Sequence, residues 1–479
     1  MRVSTLTDFF KCTAFLLLLS TSSLADPIEI GSRRELFVDK LLIESMRETE
    51  LRMHSPVKAP RAKSPLPERH MMTVIKDGER YRAYYRGSDP AYQGETHTGH
   101  PGETVHYAES LDGHEWTFPV LRIHEFDGSL ENNVMLAKQP PFLTNFMPFL
   151  DTRPGVEPNE RFKALAGYPG AGDKRGTKET GIGLFGFISS DGMTWTKQGE
   201  AIPYQSDWRH AFDSPNVSFW SEAEGQYVCY FRTWTDLDRL RSISRSTSKD
   251  FKTWTKPVAM NPNLPGEHLY TNGTQAYFRA PHIYIALPTR FVPGRGDAPL
   301  YDTKDMNATD ILFMSTRAGS NTYDRVFTEA FIRPGLDPAR WRNRSNYVAL
   351  NAIPTGPEEI SIYHRSGDRY VLRTDGFVSV HSGSKPGELL TKPLVFSGSN
   401  LRVNFSTSAF GYLKVEIQDL NGKAIPGFRL EDCSPMYGDS IDQTMHWKGD
   451  KKLDSLAGKS VRLRFAMQEC DLYSFQFFQ

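Results

Sequence analysis

The stretch "SSDGMTW", Ser189–Trp195, constrains this chain more than any other because it recurs. The spacing Ser-x-Asp-x-x-x-Trp returns at Ser110-Asp112-Trp116 ("SLDGHEW") and at Ser248-Asp250-Trp254 ("SKDFKTW"), and a degenerate copy, "STRAGSNTY", begins at Ser315. A catalytic group is needed once, so an element that returns every 60 to 80 residues or about that marks a building unit. Each copy sits between apolar strand patterns, where Asp and Ser can bond the amides of a tight turn and Trp can pack between units.

The segments between copies repeat one plan: strand, short turn, strand, long loop, strand, Ser-x-Asp hairpin, strand. "RYRAYYRG" and "TVHYAES" precede the first hairpin; "RFKALAGY" and "IGLFGFISS" the second; "SPNVSFW", "QYVCYFRTW" and "RSISRSTS" the third. "TQAYFRAPHIYIALP" and "DILFMSTR" lead to the fourth copy, and "EEISIYH" with "RYVLRTDGFVSVHS" begins a fifth unit. Four antiparallel strands repeated five times predict an all-β, five-bladed β-propeller over residues 26–388. Arg34–Glu44 ("RELFVDKLLIE") has no unit of its own and is expected to complete the last blade. From about residue 389 the pattern changes to alternating apolar runs around an Asn421-Gly422 hairpin signal, which predicts a C-terminal β-sandwich over 389–479. Its short turns favour a supporting role.

Residues 1–25 read as a signal peptide: Arg2 and Lys11, the apolar run Ala14–Leu19, then Ser23-Leu24-Ala25 as a small-x-small cleavage site. The run is too short to span a bilayer, so export without a membrane anchor is expected, to a secreted or periplasmic location. Three cysteines follow. Cys433 and Cys470 are placed for a disulfide in such a compartment, or remain free; Cys229, in "YVCYF", reads as a buried strand residue. Lys plus Arg and Asp plus Glu balance at 57 each, which gives no charge-based reason to expect nucleic acid as a partner.

The hairpins and the short turns "KDG", "SEAEG" and "RSGD" share one face in this plan. The long polar loops, 87–103, 169–181 and 289–310, fall on the other, together with the starts of the inner strands. Long loops on one face of a rigid scaffold carry binding, which places the site there. The residues expected at its mouth are Arg69 and His70; Glu131, Asn132 and Asn133, or alternatively Asn145; Arg209, His210, Asp213 and Asn216; Tyr270 and Asn272; Glu359 and Tyr363. Asn, carboxylates and aromatic faces suit a sugar ring, and two carboxylates across a gap cut a glycosidic bond as acid and as nucleophile or base. Asp213 and Glu359 are the expected pair, with Glu131 the third candidate. Arg69-His70 and Arg209-His210 either bind a carboxylate or sulfate on an acidic sugar or neutralise nearby carboxylates. His97 and His100 have metal-ligand spacing, but in a Gly/Pro loop rather than on a helix, so neither metal nor cofactor is expected. The signatures of helical zinc proteases, Cys-x-x-Cys sites and Gly-x-Ser-x-Gly hydrolases are missing from the sequence.

With its Ser-x-Asp-Gly-x-x-Trp hairpins and its propeller-then-sandwich order, the chain resembles the five-bladed propeller glycosidases of glycoside hydrolase families 32, 43 and 68, most of all family 32. The resemblance implies a secreted glycoside hydrolase acting on a poly- or oligosaccharide. The family's catalytic signatures do not carry over. "PERHMM" stands where a Trp-Met-Asn-Asp-Pro motif belongs, "FDSPN" (Phe212–Asn216) is the nearest approach to Arg-Asp-Pro, and "QEC" ends at Cys470, outside the middle blades. Two alternatives stay open: a carbohydrate-binding propeller without catalysis, and a sialidase- or lyase-like enzyme for acidic sugars.

Overall fold

The computed structural model describes residues 26–167, 183–205, 208, 211–295 and 307–479. The expected leader, the loop at 169–181, the centre of the loop at 289–310, and Arg209 and His210 lie outside the described residues. The described chain is all-β; its helices are two short 3-10 turns, Pro158–Glu160 and Pro338–Trp341. No described helix is long and apolar enough to cross a membrane.

Five antiparallel sheets follow one another along the chain. The first takes Met72–Asp77, Arg80–Ser88, Glu103–Ser110 and Val134–Ala137, and the second Phe149–Leu150, Phe162–Ala166, Leu184–Ser189 and Thr196–Ile202. The third takes Val217–Ser221, Gln226–Trp234, Arg241–Ser248 and Val258–Ala259. The fourth pairs Thr274–Tyr277, Ala280–Ala286 and Met314–Arg317, with His268–Leu269, Thr289–Pro293 and Asn307–Ile311 continuing these strands beyond a break. The fifth takes Ile353–Pro354, Glu359–Tyr363, Arg369–Arg373 and, from the other end of the chain, Val57–Lys58.

The hairpins explain why the sequence repeats. Ser189 Oγ donates to Asp191 Oδ1 at 3.0 Å, the Gly192 amide donates to Ser189 Oγ at 2.8 Å, and the Met193 and Thr194 amides reach Asp191 Oδ1 at 2.8 Å each. The network recurs around Asp112, which accepts from Ser110 and from the His114 and Glu115 amides. It recurs again around Asp250, which accepts from Ser248 and from the Lys252 and Thr253 amides. The residue after the Asp takes a left-handed backbone, with φ +73° at Gly113, +77° at Gly192 and +65° at Phe251. A side chain at Gly192 would also meet the Tyr84 hydroxyl at 2.6 Å. Phe251 accepts the strain with its ring buried edge-on against Tyr227 and Phe149.

Each hairpin tryptophan packs toward the preceding sheet: Trp116 edge-on to Tyr363 and Trp195 to Phe146, while Trp254 joins the cluster of Phe149 and Phe251. Tyr323 stands in the degenerate fourth copy, where its buried hydroxyl meets Thr274 Oγ1 at 2.6 Å beside Tyr230. Five apolar clusters join first to second sheet, second to third, third to fourth, fourth to fifth, and fifth back to first. A sixth gathers Met147, Val217 and Leu350 from the first-strand segments of three sheets. The circle closes by backbone hydrogen bonds as well, Leu350 N to Met72 O at 2.8 Å and Val74 N to Leu350 O at 3.1 Å.

A ten-stranded sheet, built around the paired strands Asn400–Gln418 and Ser460–Phe478, forms the remainder. It corrects two expectations. Arg34–Leu36 pairs with Ser474–Gln476 and Ile43–Arg47 with Glu388–Thr391, so the "RELFVDKLLIE" segment belongs here. The strand that closes the fifth sheet is Val57–Lys58, on Tyr370 and Val371. Val378–Ser382 also joins the large sheet, which therefore takes strands from both sides of residue 389. Asp375 ties it to the fourth and fifth sheets, accepting from Tyr277 (2.8 Å), Asn404 (3.1 Å) and Ser474 (2.6 Å) beside Arg34 and Arg279. Cys229, Cys433 and Cys470 are free and buried, so the Cys433–Cys470 bond is not formed.

Candidate functional site

In an antiparallel meander the start of the first strand and the end of the second share one edge. That edge, away from the Ser-x-Asp hairpins, gathers His70, Asn145, Asp213, Tyr270 and Tyr347 from the first-strand approaches, with Arg86 and Arg232 from the second strands and Glu103 and Arg241 from the starts of the third.

Its centre is aromatic and cationic. The guanidinium carbons of Arg232, Arg241 and Arg344 lie 5.0, 5.4 and 5.7 Å from the Tyr270 ring centroid. Tyr270 meets Tyr347 edge-on at 5.7 Å, and Tyr347 meets His70 edge-on at 5.4 Å. The register of the third sheet sets part of this: Trp234 lies directly across from Arg241, which places the guanidinium 4.7 Å from the indole. Arg232, two residues earlier, falls on the same side of the sheet as Trp234 and ion-pairs with Asp213. Asp213 follows Phe212, whose φ of +65° is strained and whose ring is buried against Trp208 and Phe231. Packing thus fixes the bend that aims the carboxylate.

The electrostatics follow from this crowding. Burial lowers the Arg241 guanidinium below its ordinary value, and Arg232 and Arg344 add to the effect against the opposing pull of Tyr270 and Asp213. His70 is lowered to about 4, by burial first and then by Arg365, Arg86, Arg344 and Arg69, so its imidazole is neutral at neutral pH. Two carboxylates nearby are engaged with other partners. Glu103 is buried on Arg86, Thr144 and the Gly99 amide, and Glu68 pairs with Arg365 at 3.0 Å.

The structure gathers some of the expected residues here and disperses others. Asp213, His70 and Tyr270 stand at the mouth, with Arg69 on its exposed rim, held by the Glu68 carbonyl at 2.8 Å. Asn216 and Asn145 are buried just below, both donating to the Phe212 carbonyl, at 3.4 and 2.7 Å. Asn272 is structural, donating to the Pro215 and Tyr230 carbonyls and accepting from Thr274.

Glu359 is at the opposite edge. It opens the second strand of the fifth sheet, pairs with Arg369 at 2.7 Å and lies 3.9 Å from His114 of the first hairpin. Asp213 and Glu359 therefore do not form a pair across one gap. The cause is the phase of the fifth unit: "EEISIY" is its second strand, and "RSGD" joins second to third. Tyr363 is buried on that second strand, donating to the Gly113 carbonyl at 2.7 Å. "ENNVM" belongs to the fourth strand of the first sheet. There Glu131 makes an exposed ion pair with Arg122, Asn132 bonds the His124 and Ser129 carbonyls, and Asn133 bonds Tyr85 and the Tyr107 carbonyl. Among the described residues no three His, Cys, Asp or Glu side chains gather as a metal site.

Sequence reasoning missed Arg232, Arg241, Arg344 and Tyr347. One signal was present: Arg232 stands inside the apolar strand "QYVCYFRTW", where a charge demands a partner.

No protein-family model matches the sequence, and no curated protein matches it. The solved structures it resembles include glycoside hydrolases. One is the family 32 β-fructofuranosidase of Bombyx mori, with 10% identity over 89% of this chain and 94% of that one, TM-score 0.40. A glycosyl hydrolase of Bacteroides ovatus has 14% identity over 72% and 96%, TM-score 0.40. The family 43 arabinoxylan arabinofuranohydrolase of Bacillus subtilis has 12% over 85% and 78%, TM-score 0.32.

Proposed function

We propose that the five sheets are the blades of a propeller, that the large sheet is a β-sandwich buttressing it, and that the mouth binds a saccharide as a glycoside hydrolase would. The observation that carries the reading is the mouth itself. Trp234 is partly exposed against the Arg241 guanidinium, the Tyr270 and Tyr347 rings are buried beneath the arginines, and Asp213 is a carboxylate paired with Arg232. Aromatic faces take the apolar side of a pyranose, while guanidinium and carboxylate groups bond its hydroxyls. Asp213 then activates a water or stabilises positive charge at the anomeric carbon. Its partner in proton transfer is not Glu359, which lies at the far edge. The chain acts after export, as its N-terminal pattern implies.

The test is reducing-sugar release from neutral, uronic and sulfated polysaccharides by wild type, Asp213→Asn and Glu359→Gln. Expected is release by wild type and Glu359→Gln, with a loss of at least about 100-fold in Asp213→Asn. Full activity of Asp213→Asn would remove Asp213 from the chemistry. The separation of Asp213 from Glu359 favours a second reading, a saccharide-binding mouth without hydrolysis. Binding without release from any substrate would establish it.

A further inference from the structure

Among the described residues, the groups gathered on the Tyr270 ring are more cationic than anionic. Arg232, Arg241 and Arg344 surround one tyrosine ring, and Asp213 is the carboxylate paired within that group. Among the described residues, Arg241 and Arg344 contact aromatic rings but make no ion pair. Arg69, on the rim beside His70, also makes none. A ring quadrupole attracts a cation weakly and does not neutralise it.

The three arginines divide by depth. Arg232 is 2 % exposed, with its Nε and Nη1 lacking hydrogen-bond partners, too deep for a ligand to touch. It acts through its charge. Arg241 is partly buried above it and Arg344 is exposed, so these two are placed to reach a ligand. Several other arginines of this chain do have a carboxylate, Arg290 with Asp310 at 2.6 Å, Arg325 with Glu267 at 2.8 Å, and Arg317 with Asp39 at 2.7 Å, whereas buried Arg340 is held by Asn346 and Tyr370. Arg241 and Arg344 have neither a carboxylate nor, as Arg340 has, a set of neutral side-chain acceptors among the described residues.

We infer that the mouth selects a saccharide bearing an oxyanion, a uronate carboxylate or a sulfate ester, which docks on Arg241 and Arg344 over Tyr270. Guanidinium groups bind such oxyanions through two parallel N–H donors, and a cleft carrying excess positive charge draws them in from solution. This substrate class rests on the saccharide reading above, and the experiment separates the two.

Binding is followed by calorimetry with matched oligosaccharides: neutral, uronate-bearing and sulfated, at 20 mM and 300 mM NaCl or about those values. The proteins are wild type, Arg344→Gln and Arg344→Lys; position 344 is exposed, so these variants are expected to fold. Expected is at least about tenfold tighter binding of one anionic class than of the neutral ligand. That preference should weaken in high salt, fall about tenfold in Arg344→Gln and return in part in Arg344→Lys. The better of the two anionic ligands identifies the oxyanion. Equal binding of neutral and anionic ligands, unaffected by Arg344→Gln, would overturn the inference and leave the saccharide reading standing. If no oligosaccharide binds, sodium sulfate and sodium acetate distinguish the remaining outcomes. Binding of either salt that is lost in Arg344→Gln keeps an anion site and removes the saccharide; binding of neither removes both.

Discussion

The Ser-x-Asp hairpin bears one demanding test, because its hydrogen bonds are those of a stabilising turn. Asp191 Oδ1 collects three donors, the Met193 and Thr194 amides at 2.8 Å and Ser189 Oγ at 3.0 Å. Two of the three bonds are partly buried and the Thr194 bond is exposed, so each is worth less than a buried bond to a charged group and close to an ordinary one, about 1 kcal/mol. Asp191→Ala then costs about 3 kcal/mol, and Asp191→Asn, which keeps an acceptor oxygen, about 1 kcal/mol. The Asp191 carboxyl sits below its ordinary value: burial works to raise it, and the Thr194 and Met193 amides with the Ser189 hydroxyl outweigh burial. A carboxyl lowered in the folded state stabilises fully above its unfolded value, about 3.9, and ceases to do so as pH falls through the folded value. The gap between wild type and Asp191→Ala should therefore be full at pH 7 and narrow below about pH 4. Urea unfolding followed by tryptophan emission measures it, with oligosaccharide binding assayed in parallel. Unchanged stability together with lost binding would refute the structural assignment of the repeat.

Lys163 is 1 % exposed and pairs with Asp151 at 2.7 Å and Glu160 at 3.0 Å, and Asp151 also accepts from the Tyr227 hydroxyl at 2.6 Å and the Arg153 amide at 2.9 Å. Lys163→Met should cost about 3–5 kcal/mol in urea unfolding, and Lys163→Met with Asp151→Asn should recover more than half, because the stranded charge is gone. Tyr363→Phe loses the bond to the Gly113 carbonyl and should cost about 1 kcal/mol of stability while leaving saccharide affinity unchanged. The buried thiols, all raised by burial, should resist alkylation until the chain unfolds, and reductant should leave the melting temperature unmoved; a mass deficit of two hydrogens in the intact chain would contradict this. His70 and His364 are lowered to about 4 and about 3, by burial first and then by neighbouring arginines. Below an ordinary histidine value the unfolded chain takes up protons that the folded chain refuses, so stability falls as pH drops from about 6.5 toward 4. His70→Gln and His364→Gln should flatten that limb of the stability profile.

What could be read from the sequence was what neighbouring residues settle among themselves. The hairpins span a few residues, their bonds run from residue i to i+2 and i+3, and their fourth position is a glycine in two copies for a backbone reason. The all-β character and the assignment of most strands to successive sheets came from the same source. The fifth unit was misphased because its first strand, in "SNYVALNAIP", has no turn signal before it, and the closing strand Val57–Lys58 is two residues long. A two-residue strand has no periodicity to read; its partner gives it a place. Arg34–Leu36 looked equally able to close the ring, and only the long strand Ser460–Phe478 decided otherwise. The site divided the same way. Asp213, His70 and Tyr270 stand just ahead of inner strands, and locating those strands was enough to find them. Arg232, Arg241 and Arg344 are separated along the chain and converge on Tyr270 because three sheets bring their edges to one mouth. Charge acts through space and through burial, and both are properties of the assembled fold, so the cationic character of the mouth existed only once the sheets had closed.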